Sequence, residues 1–196
     1  NTDKNAGTTA FNQPIGNWDV SNVNDMRSMF SNADSFNQPI GNWDVSNVTT
    51  MDSMFRESGA FNQDIGNWDI SSVTSIRLMF AWNLVFNKDI GNWDTSNVEN
   101  MSATFQYSQL FNQDIGNWDT SSVTNMGSMF REVGAFNQDL SGWCVTNFSS
   151  EPANFAISSP LTNAQKPVWG TCPDYNINVT ASSSSDYTLS GNDRNG

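Results

Sequence analysis

The sequence predicts an α/β repeat: a right-handed leucine-rich-repeat solenoid, with one short parallel strand and one short helix per 25-residue unit and a disulfide-stapled C-terminal cap. Three observations carry this reading. Phe-Asn recurs from Phe11-Asn12 to Phe136-Asn137 with a step of 25, and Trp18 to Trp143 and Phe30 to Phe155 keep the same step without an insertion. Within each unit the apolar residues fall into the L-x-x-L-x-L-x-x-N frame, as in Ile15, Trp18, Val20 and Val23. Cys144 and Cys172 flank the last, degenerate unit. A fixed period of this size means stacked supersecondary units, each burying its apolar face against its neighbours.

Residues 1–10 read as a polar N-terminal extension, without the charged and apolar regions of a signal peptide. Residues 11–135 hold five repeats, and 136–173 a sixth, degenerate repeat with the cap. In each repeat the alternation Trp18, Val20 predicts a short strand with those side chains inward. The spacing Val23, Met26, Met29, Phe30 then predicts one to two turns of helix, with Thr49-Thr-Met-Asp52 as a capping box. The polar loop 31–35 leads to Phe36 and the next unit. Six tryptophans one strand spacing apart, roughly 4.8 Å, should form an inward aromatic column, with methionines filling the gaps. The Asn after each Phe reads as a ladder of buried amides that satisfies loop backbone between units, and Gly16 and its equivalents as a backbone conformation other residues avoid. In residues 174–196, Tyr175, Ile177 and Val179 alternate with polar residues and suggest a strand, and Ser182–Ser185 a linker, leading toward a further β-domain.

Composition narrows the function. The chain has 196 residues, 8 basic against 20 acidic side chains for a net charge of −12, and no histidine. The missing histidine removes every His-based triad, general base and metal ligand. The scattered cations argue against nucleic acid and anionic membrane, and no apolar run approaches the roughly 18 residues of a membrane span. With 37% hydrophobic and 14% charged residues, the surface must be largely Asn, Ser, Thr, Gln and Gly, a profile that suits a secreted protein. Two cysteines around the last repeat read as one disulfide closing the cap, which implies an oxidising compartment. Asn47-Val-Thr49, Asn147-Phe-Ser149 and Asn178-Val-Thr180 match the N-glycosylation triplet.

The stretch FNQDIGNWDTSSVTNMGSMF, Phe111 to Phe130, resembles the repeat of BspA-like leucine-rich-repeat surface proteins, in the 25-residue form of mycoplasma-type surface lipoproteins that is also found in marine Bacteroidetes. Leu140 to Pro173 resembles the terminal unit of such arrays. The resemblance implies a secreted or cell-surface location, a role in adhesion or partner binding, and no catalytic residue.

The open question is the outward face of the strands. There Asn17, Asn42, Asn67, Asn92 and Asn117 form one row, Asp19, Asp44, Asp69, Asp94 and Asp119 a second, and Ser21, Ser46, Ser71, Ser96 and Ser121 a third. These rows are the candidate binding face. Adjacent aspartates repel by roughly 0.8 kcal/mol at about 5 Å in water, so the row needs local hydrogen bonds or cations. Clustered carboxylates suit Ca²⁺, although no compact calcium loop is present. Equivalent aspartates give no asymmetry to separate an acid from a nucleophile, which argues against glycoside hydrolysis. The expected function is therefore a non-enzymatic, monomeric module that binds an extracellular protein or polysaccharide, with no cofactor beyond a candidate Ca²⁺. The alternatives are a passive spacer or an ice- or mineral-binding surface. Ordered Thr rows would favour ice, but Thr95 and Thr120 fall at inward frame positions.

Overall fold

The computed structural model describes residues 10–173. The predicted N-terminal extension, except Ala10, and the strand and linker expected in 174–196 lie outside the described residues. Successive 25-residue units lie one on another in parallel register as layers: 11–35, 36–60, 61–85, 86–110 and 111–135, with the sixth beginning at 136.

The layers are not built of a strand and a helix. Among the described residues no helix forms, and the strand-like pairing consists of isolated parallel bridges linking Asp25, Thr50, Ser75, Asn100 and Asn125 in succession. The α/β leucine-rich-repeat solenoid is therefore not the fold. What forms is a stack of layers made almost wholly of turns.

The helix fails for a reason visible in the backbone. Between Met26 and Ala33, alternate N–H groups serve different partners. Those of Met26, Ser28, Phe30 and Asn32 donate to Thr50, Asp52, Met54 and Arg56 in the next layer, at 2.8–3.1 Å. Those of Met29, Ser31 and Ala33 close turns onto Met26, Ser28 and Phe30. An α-helix would keep every N–H within its own segment. Ser28 and Asn32 instead adopt the left-handed conformation, φ 56° and 60°; the same pair of positions does so through the fifth layer, and in the sixth the pair is shifted by one residue to Asn154 and Ser158. Space forbids the helix as well. Equivalent rings of adjacent layers lie only 5.6–5.8 Å apart on this side, as in Phe30–Phe55 and Phe55–Phe80, whereas packed helices need about 8–10 Å.

The expected strand Trp18–Val20 is the link between two turns, closed by Trp18 N–H to the Ile15 carbonyl and Val23 N–H to the Val20 carbonyl. Its side-chain phase is nevertheless as read: Val20, Val45, Trp43, Trp68, Trp93, Trp118 and Trp143 are buried. Trp18 is the exception at 52% exposed, because no described layer covers it. It lines an open apolar cleft of about 310 Å³ with Phe11, Ile15, Met29 and Phe30.

The continuous column in the core is phenylalanine rather than tryptophan. Phe30 and Phe36 stack at 4.0 Å within a layer, and Phe36, Phe61, Phe86, Phe111 and Phe136 follow one another at 5.8–6.2 Å. The indoles sit beside this column and use their polar edge. Trp43 Nε1 donates to the carbonyl of Ile15 in the preceding layer, and Trp68, Trp93, Trp118 and Trp143 repeat the bond.

The asparagine ladder is present but on the surface rather than buried. Asn12 Oδ1 accepts the N–H of Asn37, and the pattern continues through Asn62, Asn87, Asn112 and Asn137 at 2.9–3.1 Å. Gln38, Gln63, Gln113 and Gln138 reinforce it from the neighbouring position. The glycine of each layer has a different reason from the one expected. Gly66 does not need a left-handed φ; a Cβ there would meet the Asp89 carbonyl at 2.4 Å.

At the other end the Cys144–Cys172 disulfide is present. It joins a closing segment whose Gln165 and Thr171 carbonyls accept from Leu140 and Val145. Phe155 turns edge-on to Phe130, at 85°, and Trp169 meets Phe155 at 82°. The stacked column therefore ends against ring edges.

Candidate binding face

The segment after each buried tryptophan positions the outward rows. Asp19 begins an Asx turn in which its Oδ1 accepts both the N–H of Ser21, at 3.1 Å, and the Ser21 hydroxyl, at 2.6 Å. Asp44–Ser46, Asp69–Ser71 and Asp94–Ser96 repeat both bonds. Asp119 keeps the bond from the Ser121 N–H. The buried residue between Asp and Ser, Val20 or its equivalent, anchors each turn to the core.

These local bonds settle the electrostatics of the row. The Ser21 hydroxyl, then its N–H, holds the Asp19 carboxyl below its ordinary value of 3.8, and Ser71 acts likewise on Asp69. Asp44 is also lowered, by Ser46, while its neighbours Asp69 and Asp19 push it slightly back up. Asp19, Asp44 and Asp69 are thus charged at neutral pH.

Of the fifteen residues singled out on this face, the structure brings five into one groove. Asn92, Asp94, Ser96, Asn117 and Asp119, with Gly91 and Trp93, line a shallow cleft of about 570 Å³ between the fourth and fifth layers. Asn17, Asp19, Ser21, Asn42, Asp44, Ser46, Asn67, Asp69 and Ser71 continue the same rows along the earlier layers, and Ser121 along the fifth. Each layer contributes a single carboxylate to the row. Among the described residues no group of three or more His, Cys, Asp or Glu is placed to hold a metal ion. Thr95 and Thr120 point inward and donate to the Asp119 and Cys144 carbonyls, so they contribute no row to the surface.

Two features were not anticipated. Asn47, Asn97 and Asn147 each reach back to the serine carbonyl of an earlier layer, at 2.8–2.9 Å, so the face is braced across layers. At the second left-handed position of their layers, Trp82 and Tyr107 stack at 5.1 Å, with Arg56 over Trp82 and Arg131 over Tyr107. The signal was in the sequence. The column Asn32, Glu57, Trp82, Tyr107, Glu132 lies in the part of the unit, residues 31–35 and equivalents, that varies from layer to layer.

A stack of turn-built, 25-residue layers closed by one disulfide defines this chain as a repeat protein. The family model described as "Mycoplasma protein of unknown function, DUF285" matches it twice, over residues 4–87 and 77–171. The chain belongs to that family. No curated protein and no solved structure matches it. Among the described residues no helix is long and apolar enough to cross a membrane.

Proposed function

We propose that this chain is a non-enzymatic binding module of the BspA-like kind, displayed at the cell surface or secreted, whose Asn, Asp and Ser rows take an extracellular polysaccharide or protein. The observation that carries the reading is the Asp–Ser hydrogen-bonded turn, repeated at one pitch and opening into the groove at Asp94 and Asp119. Carboxylates already fixed by serine lose little side-chain freedom on binding. Rows of acceptors beside amide groups suit a hydroxyl-rich ligand, whose O–H groups donate to the aspartates while Asn92 and Asn117 supply both donor and acceptor. Membership in a mycoplasma-type repeat family supports a surface setting, and the disulfide supports an oxidising one.

The test is an array of extracellular polysaccharides and matrix proteins probed with the intact chain and with Asp94→Asn/Asp119→Asn. Binding by the native chain that the double variant loses is expected. No ligand at all, or a ligand held equally by the variant, overturns the reading.

A further inference from the structure

We propose that residues 1–9 dock beneath residues 26–34 as half of a further layer and so close the open N-terminal edge of the stack. The inference concerns that edge alone and does not rest on the function proposed for the aspartate rows.

The edge is defined by what the interior layers do. In the second layer the carbonyls of Thr50, Asp52, Met54 and Arg56 each accept an N–H from the layer before, and the third, fourth and fifth layers repeat this at the same positions. In the first layer those positions are Asp25, Arg27, Met29 and Ser31, and no described residue donates to their carbonyls. Beside them lies the open apolar cleft in which Met29 is 38% exposed. Unpaired backbone next to apolar side chains is a template for further pairing, and terminal repeats close it with a unit whose outer face is polar.

The register names the occupant. In every contact among the first five layers the donor precedes its acceptor by 24 residues, as Met26 precedes Thr50. The four free carbonyls therefore call for N–H groups at residues 1, 3, 5 and 7. Asn1, Asp3, Asn5 and Gly7 supply them, in a segment that lies outside the described residues and runs directly into Ala10 and Phe11. Residues 26–34 lead into Phe36 in the same way and lie against the next layer. The short connection to Phe11 thus holds residues 1–9 at a high effective concentration beside this edge.

The residue types agree. The two left-handed positions, Ser28 and Asn32 in the first layer, fall on Asp3 and Gly7. Asp is among the side chains enriched at positive φ, and glycine reaches it without steric cost. Thr8 takes the place of Ser58 and Ser108, and Ala10 that of Ala60 and Ala135. Asn1 and Asn5 stand where interior layers carry methionine and phenylalanine. A closing layer has water on its far side and no further ring to stack on, so amides suit those two places. The family model also begins in this part of the unit. Its two matches start at Lys4, one unit below Met29, and at Arg77, two units above Arg27. Residues 1–9 reach no further than 26–34, so Trp18, on the other half of the unit, keeps its exposed ring.

Hydrogen exchange of the full chain, followed amide by amide by nuclear magnetic resonance, tests the proposal. The N–H groups of Asp3, Asn5 and Gly7 are expected to exchange at least about tenfold more slowly than in a free peptide of residues 1–10. Gly7→Pro removes one donor and fixes φ near −65°, so it should return Asp3 and Asn5 to the peptide rate while Phe55 and Phe80 stay protected. Gly7→Asn tolerates the left-handed φ and should keep most of the protection. Peptide rates at Asp3 and Asn5 in the native chain overturn the proposal, as does protection that survives Gly7→Pro or is lost equally in Gly7→Asn. Protection that rises with chain concentration assigns the edge to a second copy and overturns it too.

Discussion

The indole Nε1 of Trp68 donates to the carbonyl of Ile40, 28 residues earlier, at 3.2 Å within the core. The carbonyl belongs to the turn that the preceding layer closes with its own Trp43, so each tryptophan secures the layer beneath it. Trp68→Phe keeps a ring and removes the donor. The expected cost is about 0.5–1.5 kcal/mol in urea unfolding, the net worth of one hydrogen bond, because the Ile40 carbonyl keeps its bond from the Trp43 N–H. An unchanged midpoint would show that ring packing alone matters.

Gly66→Ala is expected to destabilise the chain by about 2–3 kcal/mol, since the new methyl must push the Asp89 carbonyl, and with it the next layer, outward. Gly142→Ala is the control. There a Cβ finds its nearest neighbour at 3.9 Å, and thermal melting should be nearly unaffected.

Ser53 holds φ at 58°, where a side chain costs about 1–2 kcal/mol and glycine does not. Ser53→Gly should therefore raise stability by about 0.5–1 kcal/mol after the entropy lost by glycine. A fall in melting temperature would mean that the serine side chain contributes more than its backbone costs.

Reduction, or Cys144→Ser, removes a bridge across 28 residues. The expected loss is about 3–4 kcal/mol in the chain-entropy model. Hydrogen exchange should quicken first at Val145 and Leu140, whose N–H groups bond to the tethered segment. Uniform acceleration through all layers would contradict this.

The serine bonds that lower Asp19, Asp44 and Asp69 give the stack an acid dependence of known sign. In the unfolded chain these groups keep the ordinary 3.8, so on acidification the unfolded state takes up protons first. The stabilisation is whole above about pH 5 and is lost as pH falls below 3.8 through the folded values. Ser46→Ala with Ser71→Ala should flatten the melting temperature over that acidic range while leaving its neutral-pH slope unchanged. An identical acid profile would assign the loss to other carboxylates.

The sequence made the repeat, its register and its inward residues legible, because Phe30, Trp43 and Ile65 recur wherever the core needs them. It did not make the local backbone legible. Met26, Met29 and Phe30 are spaced as on a helix, yet overlapping turns with alternate bonds to the next layer bury the same three positions. Of the residues that divert the chain, Asn32 is of a type that tolerates a left-handed φ, but Ser28, Glu57, Leu78, Trp82 and Tyr107 hold the same conformation without such a preference. The strand was misplaced for a related reason. Alternation at Trp18 and Val20 reports burial, whereas the parallel bridge forms at Asp25, where the chain alternates between layers rather than between faces. On the candidate face, the aspartate and serine rows were visible as spacing, but their mutual hydrogen bonds and the groove at Asp94 and Asp119 needed coordinates.

Phe55 and Phe80, 25 residues apart along the chain, lie only 5.8 Å apart in this stack. In one helix the same length would reach about 37 Å. The fold is thus a poor means of spanning distance and an effective means of copying one small motif at a fixed pitch. A ligand whose own groups recur at that pitch gains a further contact with each layer, at an effective concentration set by the layers already engaged. Avidity, and selectivity between polymers of different period, would then scale with the number of units rather than with the strength of any one.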